Sequence, residues 1–139
     1  MPDIEIGQLA EALTAKADRD LNNLSVKTAL YTNLENYTVA KDTEITFPKS
    51  PLDFDYTIAV GDYYLLQGKN NGTHVFLSGL FSGLDSTDVY YAQVYNITLR
   101  QMSGMKFKVA SHSWADLYGT SINPHEISRA VSFYGVKIS

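Results

Sequence analysis

The chain contains no cysteine among its 139 residues. This absence excludes disulfide bonds, thiolate metal sites and cysteine nucleophiles, and it leaves the redox compartment of the protein open. Histidine is also scarce, because only three are present and no HExxH motif accompanies them. We therefore expect no metal and no cofactor, and we expect stability to come from packing or assembly alone.

Basic clusters and long apolar runs are also missing. The formal net charge is −4 and no run of five or more Lys and Arg occurs, which argues against a nucleic-acid partner. No apolar stretch approaches the roughly 20 residues of a membrane-spanning helix, so we expect no membrane insertion. Residues 1–7 carry Asp3 and Glu5 without Lys or Arg, which predicts synthesis in the cytoplasm without a signal peptide.

The composition that remains is that of one folded, strand-rich domain. Hydrophobic residues make up 45% and charged residues 19% of the chain, far from the composition of disordered proteins. Ten Tyr and six Phe favour the pleated, half-buried surface of a β-sheet. The chain length matches a single core.

Apolar residues at helical spacing mark residues 4–21 as a short amphipathic helix. They form a narrow stripe: Ile6, Leu9, Leu13, Ala17 and Leu21. The pair Asn22-Asn23 ends the helix, since Asn favours caps and turns. A helix this short is marginal in water unless the stripe is buried, either on the chain's own sheet or against the same helix of neighbouring copies.

After the helix the hydrophobic period changes to two, which predicts strands. We assign them to residues 26–31, 37–40, 44–47, 56–60, 63–66, 74–78, 89–100, 105–110 and 127–138. Turns are predicted at residues 61–62, 68–72 and 79–86, where Gly and Asn cluster. Many short strands at such intervals predict an all-β, antiparallel, jelly-roll-like sandwich over residues 26–139, preceded by a helical segment at residues 1–25.

No catalytic constellation stands out. His112, Ser113 and Asp116 lie close in sequence, but a triad depends on spatial geometry and no GxSxG motif accompanies them. The carboxylates fall mainly in turns, where Asp is favoured for backbone reasons. The Gly-rich stretch at residues 68–72 lacks the order of a phosphate-binding loop and predicts a hairpin. We expect no catalytic residues.

The best candidate for a binding site is the segment of residues 111–125, expected to be a loop. It contains the only Trp, Trp114, together with His112, Tyr118, Asn123 and His125. Trp114 can stack on a sugar ring while the other four donate or accept hydrogen bonds. The alternative is that Trp114 closes one end of the sandwich as a core residue.

Two stretches resemble a known family. Residues 13–25, LTAKADRDLNNLS, resemble the "KAD.DL.NLS" linker of bacteriophage tail fibres, in which a short helical stalk leads into the next domain. Residues 129–138, RAVSFYGVKI, are similar to the "IYGIK" closing strand of many tail-fibre head domains. The resemblance implies a homotrimer on the virion, in contact with other tail proteins, with its helix near the three-fold axis and its loops facing the host.

Three functions remain open at this point. The first is a non-enzymatic tail-fibre tip that attaches to a glycan or protein on the bacterial surface, strengthened by avidity. The second is a purely structural tail or baseplate component. The third is a small hydrolase acting on polysaccharide, which would need carboxylates or a triad converging in a cleft.

Overall fold

The computed structural model describes residues 10–14, 16, 28–84, 86–117 and 124–138. Strands account for 65% of these residues, which confirms the all-β class. Residues 10–14 and 16 are helical and exposed, in line with the helix predicted over residues 4–21. The rest of that prediction lies outside the described residues.

Nine β-strands form the described fold. They are β1 (Ala29–Val39), β2 (Glu44–Thr46), β3 (Tyr56–Val60), β4 (Leu65–Gly68), β5 (His74–Leu84), β6 (Tyr90–Ser103), β7 (Lys106–Asp116), β8 (His125–Glu126) and β9 (Arg129–Ile138). A 3-10 turn, Pro51–Asp53, lies between β2 and β3, where Pro51 is favoured at the first helical position.

All nine strands belong to one antiparallel sheet with the order β1-β9-β3-β4-β5-β6-β7-β2, and β8 also pairs with β7. The sheet is curled, which brings β1 near β7. Val39 at the end of β1 accepts a 2.8 Å hydrogen bond from the His112 side chain of β7. On the other side of the junction, Ile127 donates its backbone N–H to the carbonyl of His112 at 2.8 Å.

The finer prediction of a two-sheet, jelly-roll-like sandwich is not confirmed. The five strands from β3 to β7 are each hydrogen-bonded to the next in sequence, so the sheet has no break that would divide it into two layers. Sequence periodicity predicts which face of a strand is buried, but it does not determine whether neighbouring strands share one sheet.

The concave face of the sheet encloses the hydrophobic core. Phe47, Phe107 and Phe133 lie at its centre and are at most 1% exposed. Phe47 packs edge to face with both of the others, with ring centroids 5.6 and 5.3 Å apart. Aromatic pairs of this geometry add about 0.5–1.5 kcal/mol to the burial of their surface. The core therefore joins β7 to β9 across the interior.

The alternation that predicted β6 is confirmed at the centre of the strand. Tyr95, Ile97 and Leu99 are buried in the core, whereas Asn96 and Thr98 lie on the outer face. This is the two-residue period expected of a strand with one buried and one wet face.

Two local predictions were wrong in part. Residues 79–84 of the turn predicted at residues 79–86 belong to β5. Gly79 permits a close approach between strands, since a Cβ there would lie 2.4 Å from the carbonyl oxygen of Leu65. The strands predicted at residues 26–31 and 37–40 are joined within β1, where a bulge at Asn33–Asn36 absorbs the polar interruption. Glu35 takes a positive φ of 77° in that bulge.

The two ends of the curled sheet are closed differently. At one end, the ring of Phe54 lies so close to the backbone of Gly135 that a Cβ there would come within 2.5 Å of it. At the other end lies a group of aromatic side chains from four strands and the turn that precedes β4. This second end contains two residues of the predicted binding site, Trp114 and His125.

Candidate functional site

A chain of ring contacts runs across the second end of the sheet, which we call the aromatic end. Its members are Tyr63, Phe81, Tyr91, Tyr95, Trp114 and His125, with Arg129 at the rim. Neighbouring ring centroids lie between 4.2 and 6.5 Å apart. The rings come from β5, β6, β7, β8 and the turn before β4, so the curling of the sheet brings them together.

Trp114 and His125 form the tightest pair of this group. Their ring centroids are 4.2 Å apart and their planes are inclined by 22°, which is a stacked arrangement. The pairing of β7 with β8 sets this geometry, because Trp114 and His125 are directly opposite each other in the register. Trp114 is half-buried against the core, while His125 is exposed. The stack thus reaches from the core to the surface.

Arg129 supplies the positive charge at the rim. Its guanidinium carbon lies 4.6 Å from the ring centroid of Tyr63, whose side chain is 55% exposed. This is a cation–π contact. None of the ion pairs among the described residues involves Arg129. No hydrogen bond of its side chain is formed within the described ranges either, so its N–H donors could bind carboxylate, phosphate or hydroxyl oxygens of a ligand.

His112 lies beneath the aromatic end and is 1% exposed. Its Nδ1 lies 2.8 Å from the carbonyl oxygen of Val39, which can only accept, so Nδ1 carries the proton and donates. Its Nε2 is then an acceptor, and the Tyr64 hydroxyl donates to it. The neutral imidazole with its proton on Nδ1 satisfies both contacts.

Burial shifts the pKa values of these side chains. It lowers the pKa of His112, against a smaller upward effect of the hydrogen bond to Val39. It also raises the pKa of Tyr64 to about 12, partly opposed by Arg129. Tyr95, which stacks on Tyr64 with ring centroids 4.8 Å apart, has its pKa raised by burial as well. These groups stay uncharged near neutral pH and form a rigid base for the exposed rings.

The structure places three of the five predicted site residues. Trp114 and His125 are brought together, whereas His112 points into the core and its ring nitrogens contact protein atoms. Tyr118 and Asn123 lie outside the described residues. The predicted loop is partly strand, because residues 111–116 belong to β7 and His125 begins β8.

Sequence reasoning missed Tyr63, Tyr91 and Arg129. Tyr63 follows the predicted Gly61-Asp62 turn and was expected to begin a strand, but β4 starts only at Leu65, so Tyr63 belongs to the turn region. Tyr91 lies on the inner face of β6 in the predicted alternation. Their proximity depends on how the sheet curls. No pattern along the chain could reveal this proximity. The one available signal was the number of Tyr residues near predicted strand ends.

The sequence neighbours His112 and Ser113 do not assemble into a triad. They lie on opposite faces of β7, and the Ser113 hydroxyl accepts a 2.8 Å hydrogen bond from Asn96 Nδ2 on the outer face. Among the residues that the structure describes, no group of His, Asp and Glu is arranged to hold a metal ion. Within the same residues, no helix is long and apolar enough to cross a membrane.

Comparison with known proteins adds no relative: no protein family, no curated protein and no solved structure matches this chain.

Proposed function

We propose that the protein is the tip of a phage tail fibre and attaches the virion to a glycan on the bacterial surface, without catalysing a reaction. The fibre assignment rests on the resemblance of residues 13–25 and 129–138 to tail-fibre sequences. The glycan assignment rests on the aromatic end. A protein receptor is the other partner that such a surface could bind.

The observation that carries the proposal is the stack of Trp114 and His125 at the aromatic end, beside the pair of Tyr63 and Arg129. Aromatic faces pack against the apolar C–H face of a sugar ring, and neighbouring N–H groups hydrogen-bond to its hydroxyls. Ring contacts and the buried His112–Tyr64 hydrogen bond hold these side chains together without a ligand, which supports the proposal. Such preorganisation lowers the entropic cost of binding.

We further propose that the protein acts as a homotrimer. In this arrangement residues 1–25 form a helical stalk near the three-fold axis, residues 26–139 form the head, and the stalk joins other tail proteins of the virion. Leu13, on the described part of the helix, is 60% exposed in a single chain, which is consistent with a partner that covers it. Three copies of the aromatic end would bind a repetitive surface glycan with avidity.

We also propose that the head is a two-layer, jelly-roll-like sandwich. Opposite walls of the curled sheet contact each other through Phe47 of the segment after β2 and Phe133 of β9. Packing of this kind is what joins the two layers of a sandwich. In this proposal the opposite walls of the continuous sheet are the two layers, and they share one hydrophobic core.

The binding proposal is tested by measuring the attachment of the fluorescently labelled protein to a panel of bacterial strains. We expect Trp114→Ala to lower the apparent affinity by about thirtyfold or more, because a central Trp contributes at least about 2 kcal/mol to an interface of this kind. Wild-type attachment by a folded Trp114→Ala protein would remove the aromatic end from the proposal.

A matched pair of tyrosine variants controls for surface changes in general. Tyr63 at the aromatic end and Tyr31 on β1 have similar exposures of 55% and 63%. Tyr31 pairs with Val136, near the end of β9, whereas Arg129 of the aromatic end begins that strand. We expect Tyr63→Ala to weaken attachment and Tyr31→Ala to leave it unchanged.

A further inference from the structure

A second candidate site lies on the outer wall of the sheet, away from the aromatic end. A groove of about 360 Å³ is lined by Tyr56, Gln67, Gly68 and Lys69. Gln67 and Gly68 are paired with Ile58 and Thr57 across β3 and β4. Tyr56 begins β3, whereas the turn that bears Tyr63 follows the end of that strand. The groove is therefore at the opposite end of the wall, and we call it the outer groove.

Three polar side chains line the outer groove and have no partner in the described part of the chain. Among the described residues, no hydrogen bond or ion pair involves the side chains of Tyr56, Gln67 or Lys69. By contrast, the two lysines of β7 form ion pairs, Lys106 with Glu44 at 2.9 Å and Lys108 with Asp42 at 3.8 Å. The ammonium group of Lys69 is thus a local positive charge on a chain whose net charge is −4.

The backbone around the outer groove is held firmly. The Asn70 side chain donates hydrogen bonds to the carbonyls of Phe54 at 3.1 Å and Leu52 at 3.4 Å, which ties the segment before Tyr56 to the residues after β4. Strand β5 approaches Gly68 so closely that a Cβ there would lie 1.6 Å from the carbonyl oxygen of Phe76. The groove is therefore formed before any ligand arrives.

We propose that the outer groove binds a negatively charged sugar unit. A volume of this size lies within the range of small-molecule sites and suits a single sugar ring. The Tyr56 ring offers an apolar face, the Gln67 amide can donate to and accept from hydroxyls, and the Lys69 ammonium pairs with a carboxylate or phosphate. The biological role of this site rests on the proposed adhesive function, because it would be a second contact on an acidic surface polysaccharide. The binding chemistry of the outer groove does not depend on that function.

The test is a titration of the ¹⁵N-labelled full chain, followed by NMR, with three probes: glucuronic acid, glucose 6-phosphate and neutral glucose. We expect an anionic probe to shift the amide signals of Gly68 and Lys69, and we expect added salt to weaken binding because the charged contact is exposed. Shifts from either anion support the proposal, and they also show which anion the groove prefers. Absence of shifts at these amides with both anions, or equal binding of glucose, would overturn it.

Two variants locate the interaction. Lys69→Gln removes one exposed charge and should weaken binding of the anionic probe up to about fivefold, the usual limit for an exposed ion pair. Lys106→Gln removes a surface charge that is paired with Glu44, outside the outer groove, and should not change binding. Trp114→Ala should bind the anionic sugar like the wild type, so a failure of the outer groove and a failure of the aromatic end are distinguishable. Equal binding by Lys69→Gln and wild type would contradict the proposal.

Discussion

The buried His112 should make the stability of the fold depend on pH below neutrality. Its imidazole is held neutral, with Nδ1 donating to Val39 and Nε2 accepting from Tyr64. Adding a proton would place a second donor on Nε2 and a charge in the core, which is why burial lowers the pKa of His112 from its ordinary 6.5. In the unfolded chain the His112 imidazole is solvated, so it binds a proton without this energetic cost.

The sign and size of the effect follow from proton linkage. Above about pH 6.5 the imidazole is neutral in both states and contributes no pH dependence. As the pH falls below that value, the unfolded state binds a proton that the folded state does not. The free energy of unfolding should then fall with a slope of at most about 1.4 kcal/mol per pH unit from this one group, until the lowered pKa of the folded state is reached.

The variant His112→Gln isolates this contribution, since a side-chain amide can donate and accept but does not titrate in this range. We expect it to lose about 1–3 kcal/mol at pH 8 through poorer hydrogen bonds, and to show a flatter pH dependence than the wild type between pH 7 and 5. Urea unfolding at fixed protein concentration, followed by Trp fluorescence, measures both quantities.

A second variant controls for the change from histidine to glutamine. His125 is exposed, so His125→Gln should lose less stability at pH 8 than His112→Gln. The reasoning is refuted if the pH dependence of His112→Gln runs parallel to that of the wild type.

Further predictions concern the core, the close strand contacts and the proposed trimer. Phe133→Ala should cost about 3–5 kcal/mol in urea unfolding, because the side chain is fully buried at the centre of the core, and a loss below 1 kcal/mol would contradict this packing. Gly79→Ala should lower the melting temperature markedly, since its Cβ would lie 2.4 Å from the carbonyl oxygen of Leu65, and an unchanged melting temperature would refute that contact. Light scattering should give three times the chain mass for the wild type and the chain mass for Leu13→Asp, with Ala12→Asp as the off-stripe control. A monomeric wild type would remove the trimer from the account.

The sequence predicted the parts of the fold that depend on local periodicity and turn chemistry. The buried face of β6 at Tyr95, Ile97 and Leu99 follows from a two-residue period, and the loop at residues 68–72 follows from its Gly and Asn. The prediction of a turn at residues 79–86 was wrong for residues 79–84, because glycine is favoured both in turns and where two strands approach closely. Gly79 permits a close approach between strands, and this cannot be distinguished from a turn by composition.

The candidate site was predicted in part for a related reason. Trp114 and His125 were found because a single Trp in a polar segment is conspicuous. The partners Tyr63 and Arg129 were missed because they are far apart in sequence and meet only when the sheet curls. His112 was included because it is near Trp114 in sequence, but alternation along β7 directs it to Tyr64 in the interior. Contacts between distant strands need the topology, which one sequence does not reveal.

The central claim, that the aromatic end binds a bacterial glycan, is tested most directly on an array of bacterial surface polysaccharides probed with the labelled wild type and with Trp114→Ala. The account predicts that the wild type is retained on at least one polysaccharide and that Trp114→Ala, shown to be folded by circular dichroism, loses most of that signal. Retention of the folded variant at the wild-type level, or a wild type that is retained on no polysaccharide, would contradict it.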